Sequence, residues 1–349
     1  VSRTTALRWA ALMVVSALLA GLLEAIGLSA GMLLGPMIAA VVFALRGAGL
    51  KVPVRIFQSA QTMVGCLIAQ SITAGIAATL LKDWPIFLGA TAATLTASAI
   101  LGYLLSRWQV LPDTTAIWGS MPGAASAMML LADSFGADAR LVAFMSYMRV
   151  VCVAAVASLL AVLLTGHGST SMLAEMIAPV PWKTAAISLA IAAVGGIAGV
   201  AIGMPAGALT GSLTLAAILN VTGIFTVTLP GWLLALGYAV VGWRIGLTFT
   251  PEIMAIAGKA FWRVLAAVSV LLGFAFLIAL ALSALLHIDL LTAYLAVSPG
   301  GMDSVAIIAA SVHVDRPFVM ALQVLRFVAV IIAGPILARF FARRFANRD

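Results

Sequence analysis

Residues 260–286 read AFWRVLAAVSVLLGFAFLIALALSALL, with Arg263 as their one charged side chain. An α-helix rises 1.5 Å per residue, so about 20 apolar residues cross the hydrocarbon of a bilayer, and a run of this length reads as a spanning helix. Working outward, comparable hydrophobic segments lie at 7–26, 29–45, 57–81, 84–105, 114–132 and 141–165, then at 184–203, 206–224, 231–249, 290–311 and 317–341. None has the strict alternation of a barrel strand, and backbone in lipid must satisfy its own hydrogen bonds, so helices are the expected architecture. Of 349 residues, 64% are apolar and 9% charged, against roughly 25% charged in soluble domains. The reading is an α-helical membrane protein, multi-pass in the inner (plasma) membrane.

The net charge of +8 invites a nucleic-acid partner, but most Lys and Arg fall at segment ends, where they set topology by the positive-inside rule. Cys66 and Cys152 lie inside apolar runs and imply neither disulfides nor zinc. The run from Leu7 to Leu23 is followed by no clean small-residue cleavage site and is read as a spanning segment rather than a signal peptide.

One polar, breaker-rich stretch divides the chain. Residues 166–183, with Gly166, Gly168, Pro179 and Pro181, form a linker between a first membrane repeat (1–165) and a second (184–349). The halves match at a shift of 176–177 residues. Ile26-Gly27-x-x-Ala30-Gly31-x-Leu33-x-Gly35 reappears as Ile202-Gly203-x-x-Ala206-Gly207-x-Leu209-x-Gly211, and Val64-Gly65 as Val241-Gly242. Pro122-Gly123 matches Pro299-Gly300, Asp138 matches Asp315, and Arg149 matches Arg326. Internal repeats of this kind are frequent in secondary transporters.

Charge counting favours inverted repeats. If all twelve segments span, eleven loop or terminal Lys and Arg fall inside and five outside. If segments 114–132 and 290–311 are instead re-entrant hairpins, thirteen fall inside and only Lys82, Lys183 and Arg316 outside. The second arrangement fits the rule better, places both termini in the cytoplasm and inverts the second half. The fold class expected is thus an all-α polytopic membrane protein of two inverted repeats, each of about six hydrophobic segments with a broken or re-entrant helix.

The suspected hairpins carry the candidate chemistry. Proline removes a backbone donor and glycine permits unusual angles, so Pro122-Gly123 and Pro299-Gly300-Gly301 should break their helices and free backbone groups. Such breaks are tolerated only where protein or a water-filled cavity surrounds them. Ser126, Asp303 and Ser304 fall in the first turn after the breaks, where amides and a positive dipole end would face a ligand. A proline kink explains one such motif; two equivalent ones point to a site binding substrate or ion. Arg149 and Arg326 lie about ten residues into the following segments. Burying Arg there costs about 2.5–3.5 kcal/mol on insertion scales, so each should face a partner or water. Their expected role is counter-charge for an anionic solute, or an ion pair with Asp303; snorkelling to the interface is the plain alternative. Asp303 is the candidate coupling carboxylate. Weaker candidates are Gln61 and Gln70, in a segment that also holds Gln58, with Arg244 in the matching segment, Asn220 and Gln323; inter-helix hydrogen bonding explains these equally well. The glycines at 27/31/35 and 203/207/211 form stripes for close helix packing.

The three His lie in separate joints with no ligand spacing, so neither metal nor cofactor is expected and an enzyme is not. A phosphate-cradling loop for ATP and a soluble DNA-binding module are both missing.

With its paired Gly-x-x-x-Gly-x-x-x-Gly elements and Pro-Gly blocks upstream of Arg149 and Arg326, nearly the whole chain resembles the bacterial AbrB family of membrane proteins, in which the unit occurs twice. Members have been labelled ammonia monooxygenases or regulators of gene expression; copper ligands and a DNA-reading module are absent here. The family is similar in layout to inverted-repeat carriers with broken helices. Ala124-Ala125-Ser126 stands where the second half has Gly301-Met302-Asp303, which argues against a symmetric two-ion site. The function expected is a secondary transporter or exporter of a small polar solute, anions included. The alternative is a membrane sensor or regulatory protein acting on gene expression indirectly. The expected partners are the lipid bilayer, a small-molecule solute and a coupling ion (H+ or Na+), with a homodimer permitted and no nucleic acid.

Overall fold

A computed structural model describes residues 3–25, 31–75, 83–108, 115–122, 132, 137–165, 179–258 and 261–346. Among the described residues all regular structure is helical, with no strand. The helices are α1 (Arg3–Ala25), α2 (Gly31–Leu45), α3 (Val54–Gln70), α4 (Trp84–Arg107), α5 (Thr115–Ser120), α6 (Ala139–Thr165) and α7 (Trp182–Ala201). They continue with α8 (Gly207–Val221), α9 (Gly231–Gly246), α10 (Pro251–Gly258), α11 (Phe261–Leu286), α12 (Leu290–Val297), α13 (Met302–Ala310) and α14 (Arg316–Ala346).

Among the described residues six helices are long and apolar enough to cross a membrane: Thr4–Ala25, Trp84–Arg107, Leu141–Leu164, Trp182–Ala201, Phe261–Leu286 and Arg316–Ala333. Their outward faces are apolar as well. Helix α11 buries Val264, Ala267, Val268, Leu271, Leu272, Ala275, Ala279 and Leu282 along one stripe. Its other face carries Trp262, Val270, Leu277 and Leu285, each more than 60% exposed. A water-soluble helix would be polar there; a helix facing lipid has no reason to be.

Other hydrophobic segments form shorter helices. Helices α2 and α8 have 15 residues each, and α9 has 16. The segment at 57–81 was expected to continue past residue 70, but α3 stops at Gln70, with Ser71 as its C-cap. Ser71 and Thr73 follow closely, and their polar groups interrupt the helix at 71–73 despite the apolar average, the chain turning helical again at Ala74.

The chain folds into two compact units, and each draws helices from both sequence halves. One comprises residues 1–78, 157–251 and 306–317; the other comprises 79–156, 252–305 and 318–349. In the first unit α1 packs on α2, α2 on α9, α9 on α3, α3 on α8, and α8 on α7. The 176–177-residue shift carries α2 onto α8 and α3 onto α9, so this order of neighbours reads the same from either end.

Glycine sets the spacing. A Cβ on Gly211 of α8 would lie 2.7 Å from the Cα of Gly199 in α7, and one on Gly35 of α2 would lie 2.7 Å from the Cα of Ala20 in α1. Of the expected stripes, Gly31, Gly35, Gly207 and Gly211 bring backbones together as small-residue packing in membranes requires; Gly203 instead makes a turn at φ +76° with nothing near its would-be Cβ, and Gly27 lies outside the described residues. The aromatic end of the unit is tied by Trp243 Nε1, which donates to Ser16 Oγ at 2.9 Å.

In the second unit α4 packs on α5, α11 and α12, and α11 also packs on α12. Phe87 of α4 meets Phe318 of α14 with ring centroids 5.2 Å apart, and Phe144 of α6 meets Phe261 of α11 at 6.4 Å.

Candidate functional site

The second suspected break is a break, and at the first the helix stops before Pro122, the chain from residue 123 to 131 lying outside the described residues. Helix α5 ends at Ser120, with Met121 and Pro122 buried beyond it. Helix α12, of 8 residues, ends at Val297 and α13, of 9, begins at Met302, with Ser298 to Gly301 between them. At 1.5 Å per residue, neither piece alone reaches across about 30 Å of hydrocarbon. The start of α12 is fixed by Asp289, whose Oδ1 accepts from the Thr292 amide at 2.7 Å. Thr115 Oγ1 at the start of α5 accepts from the Asp138 amide at 3.1 Å, tying α5 to the beginning of α6.

A helix end leaves four carbonyls without intrahelical donors, and burial makes each costly. The two arginines donate to carbonyls at these ends and just beyond them. Arg149 of α6 is 1% exposed, and its Nη1 donates to the carbonyls of Met121 at 2.8 Å, Ser120 at 3.2 Å and Gly119 at 3.3 Å. Arg326 of α14, also 1% exposed, donates through Nη1 to the Ser298 carbonyl and through Nη2 to the Gly300 carbonyl at 2.9 Å. Met121 and Ser298 occupy equivalent places in the two halves. A cation at a helix C-terminus is also favoured by the helix dipole.

Gln323, one turn before Arg326, completes the second cap. Its Oε1 accepts from Arg326 Nη2. Its Nε2 donates to the Leu295 carbonyl at 2.7 Å, the group that residue 299 would have bonded in an unbroken helix. Pro299 has no N–H to give, and the amide of Gln323 supplies the missing donor. The equivalent residue in α6 is Ser146, fully buried, whose Oγ has no hydrogen-bond partner.

Helix α6 touches both breaks. A Cβ on Gly119 would lie 2.7 Å from Met145 Sδ, and one on Gly300 would lie 3.3 Å from Val153 Cγ1. Met145, Arg149 and Val153 are successive positions on one helical stripe, so Arg149 projects between the two breaks. The guanidiniums of Arg149 and Arg326 lie within range of each other's charge. Several buried polar atoms here have no partner among the described residues: Nε and Nη2 of Arg149, Nε of Arg326, Oγ of Ser146 and Oη of Tyr294. Each costs about 1–3 kcal/mol if nothing fills the place, and charged groups cost more.

The sequence-derived candidates fall into three groups. Arg149, Arg326, Gln323, Pro122, Pro299, Gly300 and Gly301 lie at the two breaks, and Ser304 is buried in the first turns of α13. Gly123, Ser126 and the side chain of Asp303 lie outside the described residues. Gln61, Gln70 and Arg244 belong to the other unit. There Gln61 is buried, Gln70 Nε2 has no partner, and the Arg244 guanidinium lies 5.6 Å from the centre of the Phe57 ring. Asn220, also in that unit, donates to the Ala69 carbonyl at 2.7 Å, an inter-helix tie. Sequence reasoning missed Ser146 and Tyr294. Ser146 carried a signal, standing three residues before Arg149 as Gln323 stands before Arg326.

Six apolar helices, with two further segments broken at buried arginines, define a multi-pass helical membrane protein. Residues 32–342 match the family described as Transition state regulatory protein AbrB, and the chain belongs to that family. It is 40% identical over 344 residues to the Escherichia coli (strain K12) protein named "Putative regulator AbrB", covering 98% of this chain and 99% of the relative. It is 28% identical over 347 residues to the Bacillus subtilis (strain 168) "Uncharacterized protein YhjN", covering 90% of this chain and 88% of the relative.

Proposed function

We propose that the chain is a secondary transporter or exporter of a small polar solute, anions included, and that the broken helices with Arg149 and Arg326 form its binding site. The observation that carries this reading is the pair of fully buried guanidiniums at two helix breaks, with donors left over after capping. Charge is costly in so apolar a setting, and intramembrane ionisable residues generally mark a pathway or a ligand. The mirrored order of neighbours in the first unit supports two inverted repeats, and transporters of that design bind at discontinuous helices and rock one helix group against another. In this reading the protein lies in the inner membrane with cytoplasmic termini, moves solute together with H+ or Na+, and performs no covalent chemistry.

Single cysteines at Ser126 and Ser304, in a chain lacking Cys66 and Cys152, test the arrangement. Labelling from opposite sides of the membrane, and protection by a transported solute, are the expected results. Labelling from one side only at both positions would remove the inverted-hairpin reading.

The name of the Escherichia coli relative favours a second reading, a membrane sensor that acts on gene expression through a partner. Deletion of residues 343–349, the end of the Arg-rich tail, separates the two. A sensor loses its transcriptional output, whereas a carrier keeps its flux.

A further inference from the structure

The two arginines are used differently. Arg326 spends both terminal nitrogens on Ser298, Gly300 and Gln323. Arg149 spends Nη1 alone, and its Nε and Nη2 are buried without partners among the described residues. Those two atoms are not an arbitrary remainder. Their N–H bonds leave the planar guanidinium side by side along one edge, the edge that pairs with two oxygens of a carboxylate or phosphate. Ser146 lies on the same face of α6 three residues earlier, is completely buried, and has a hydroxyl with no partner. Three donors of one helix face are therefore unused in a place that Met145 and Val153 locate between the two helix breaks.

We infer that the Nε–Nη2 edge of Arg149, together with the Ser146 hydroxyl, is the docking point for an oxyanion with at least two acceptor oxygens, a carboxylate or a tetrahedral oxyanion. Arg326 is a positioning residue. It holds the second break in place and adds positive potential, without an edge to offer. The inference deepens the transport reading and rests on its assignment of the site, but it concerns binding and is testable without flux.

The test uses the full-length protein purified in detergent, with acetate, succinate, phosphate and chloride as sodium salts at equal ionic strength. Thermal melting and isothermal titration give the readouts. At least one oxyanion is expected to raise the melting temperature saturably, and chloride is not. Arg149→Lys keeps the charge and loses the edge, so oxyanion affinity should fall about tenfold or more, as expected for charge-assisted hydrogen bonds. Ser146→Ala should melt no lower than the parent without ligand, because it removes an unsatisfied hydroxyl, yet bind the oxyanion several-fold more weakly. That divergence separates ligand contact from a folding role even if Arg149→Lys fails to fold. Equal stabilisation by chloride, unchanged affinity in Ser146→Ala, or no response to any of the three oxyanions would overturn the inference. So would oxyanion binding that appears only in Asp303→Asn, which would make Asp303 the internal occupant of the edge. Binding without flux in vesicles would remove the transport reading and leave the site. Flux of a neutral or cationic solute, unaffected by the oxyanions, would do the reverse.

Discussion

Nη1 of Arg149 lies 2.8 Å from the Met121 carbonyl, and 177 residues further along Arg326 donates to the Ser298 carbonyl. Each arginine closes the end of a helix that a proline two residues on prevents from continuing. Charge, break and cap thus form one device: the proline frees carbonyls, and the guanidinium is anchored by them in a place where lipid would otherwise exclude it.

The second cap should be the more sensitive of the two, because three residues share it. Gln323→Leu leaves the Leu295 carbonyl with the Ser298 hydroxyl at 3.1 Å as its remaining side-chain donor and removes an acceptor from Arg326. A buried group that loses its partner costs about 1–3 kcal/mol, so a loss of that order is expected. Thermal melting in detergent would show it as a clear fall in midpoint. A Gln323→Leu protein that melts with the parent would mean the break is held by something other than this amide.

Arg326→Lys and Arg149→Lys should differ in stability. Lysine keeps the charge but lacks the planar fork. At position 326 it must replace donors to Ser298, Gly300 and Gln323 from two nitrogens, a geometry one ammonium cannot reproduce. At position 149 it need replace a single nitrogen facing three neighbouring carbonyls, which an ammonium does well. The expected order of melting temperature is parent, then Arg149→Lys, then Arg326→Lys, with the last about 2 kcal/mol or more below the parent. The reverse order would show that capping does not govern how these arginines are held.

Much of this was legible beforehand, and the part that was not has a physical reason. Hydropathy runs located the spanning helices because lipid imposes the same apolar requirement on every outward face. Pro122 and Pro299 located the breaks because a missing N–H acts locally. Which helices become neighbours was hidden: apolar faces turned to lipid and to protein are chemically alike, so nothing in the runs told that α2 would pack on α9 rather than within its own half alone. Gln323 ranked low for a similar reason. A lone intramembrane glutamine bonds wherever a carbonyl is free, and only the position of Leu295 relative to Pro299 shows why this one is needed. The end of α3 at Gln70 was missed because an average over 57–81 outweighs two polar residues that are decisive for a cap.

Two glycine substitutions test the packing independently of the site. In Gly211→Ala the new methyl would press on the backbone of Gly199 at 2.7 Å. Neither helix can yield by rotating a side chain, so α7 and α8 must separate, at about 1–3 kcal/mol. Gly273 lies within α11 with nothing within 4 Å of its would-be Cβ. Gly273→Ala should leave the midpoint unchanged or raise it slightly, by at most about 1 kcal/mol from helix propensity. Comparable losses at both positions would indicate that α11 is covered on that side by a further surface.

Asp303 supplies the decisive prediction for coupling. It stands in the first turn of α13, directly after the Ser298–Gly301 break whose carbonyls Arg326 holds. A carboxyl group at this place in the chain can exchange a proton or attract Na+, the ions that couple transport in this reading. Asp303→Asn removes the titration and the charge but keeps the size. In reconstituted vesicles the variant should fold and insert normally, bind solute, and fail to accumulate it against a gradient when a proton or Na+ gradient is imposed. Undiminished accumulation would place the coupling elsewhere. Loss of solute binding with no change in melting would make the carboxylate a direct ligand of the solute rather than of the ion.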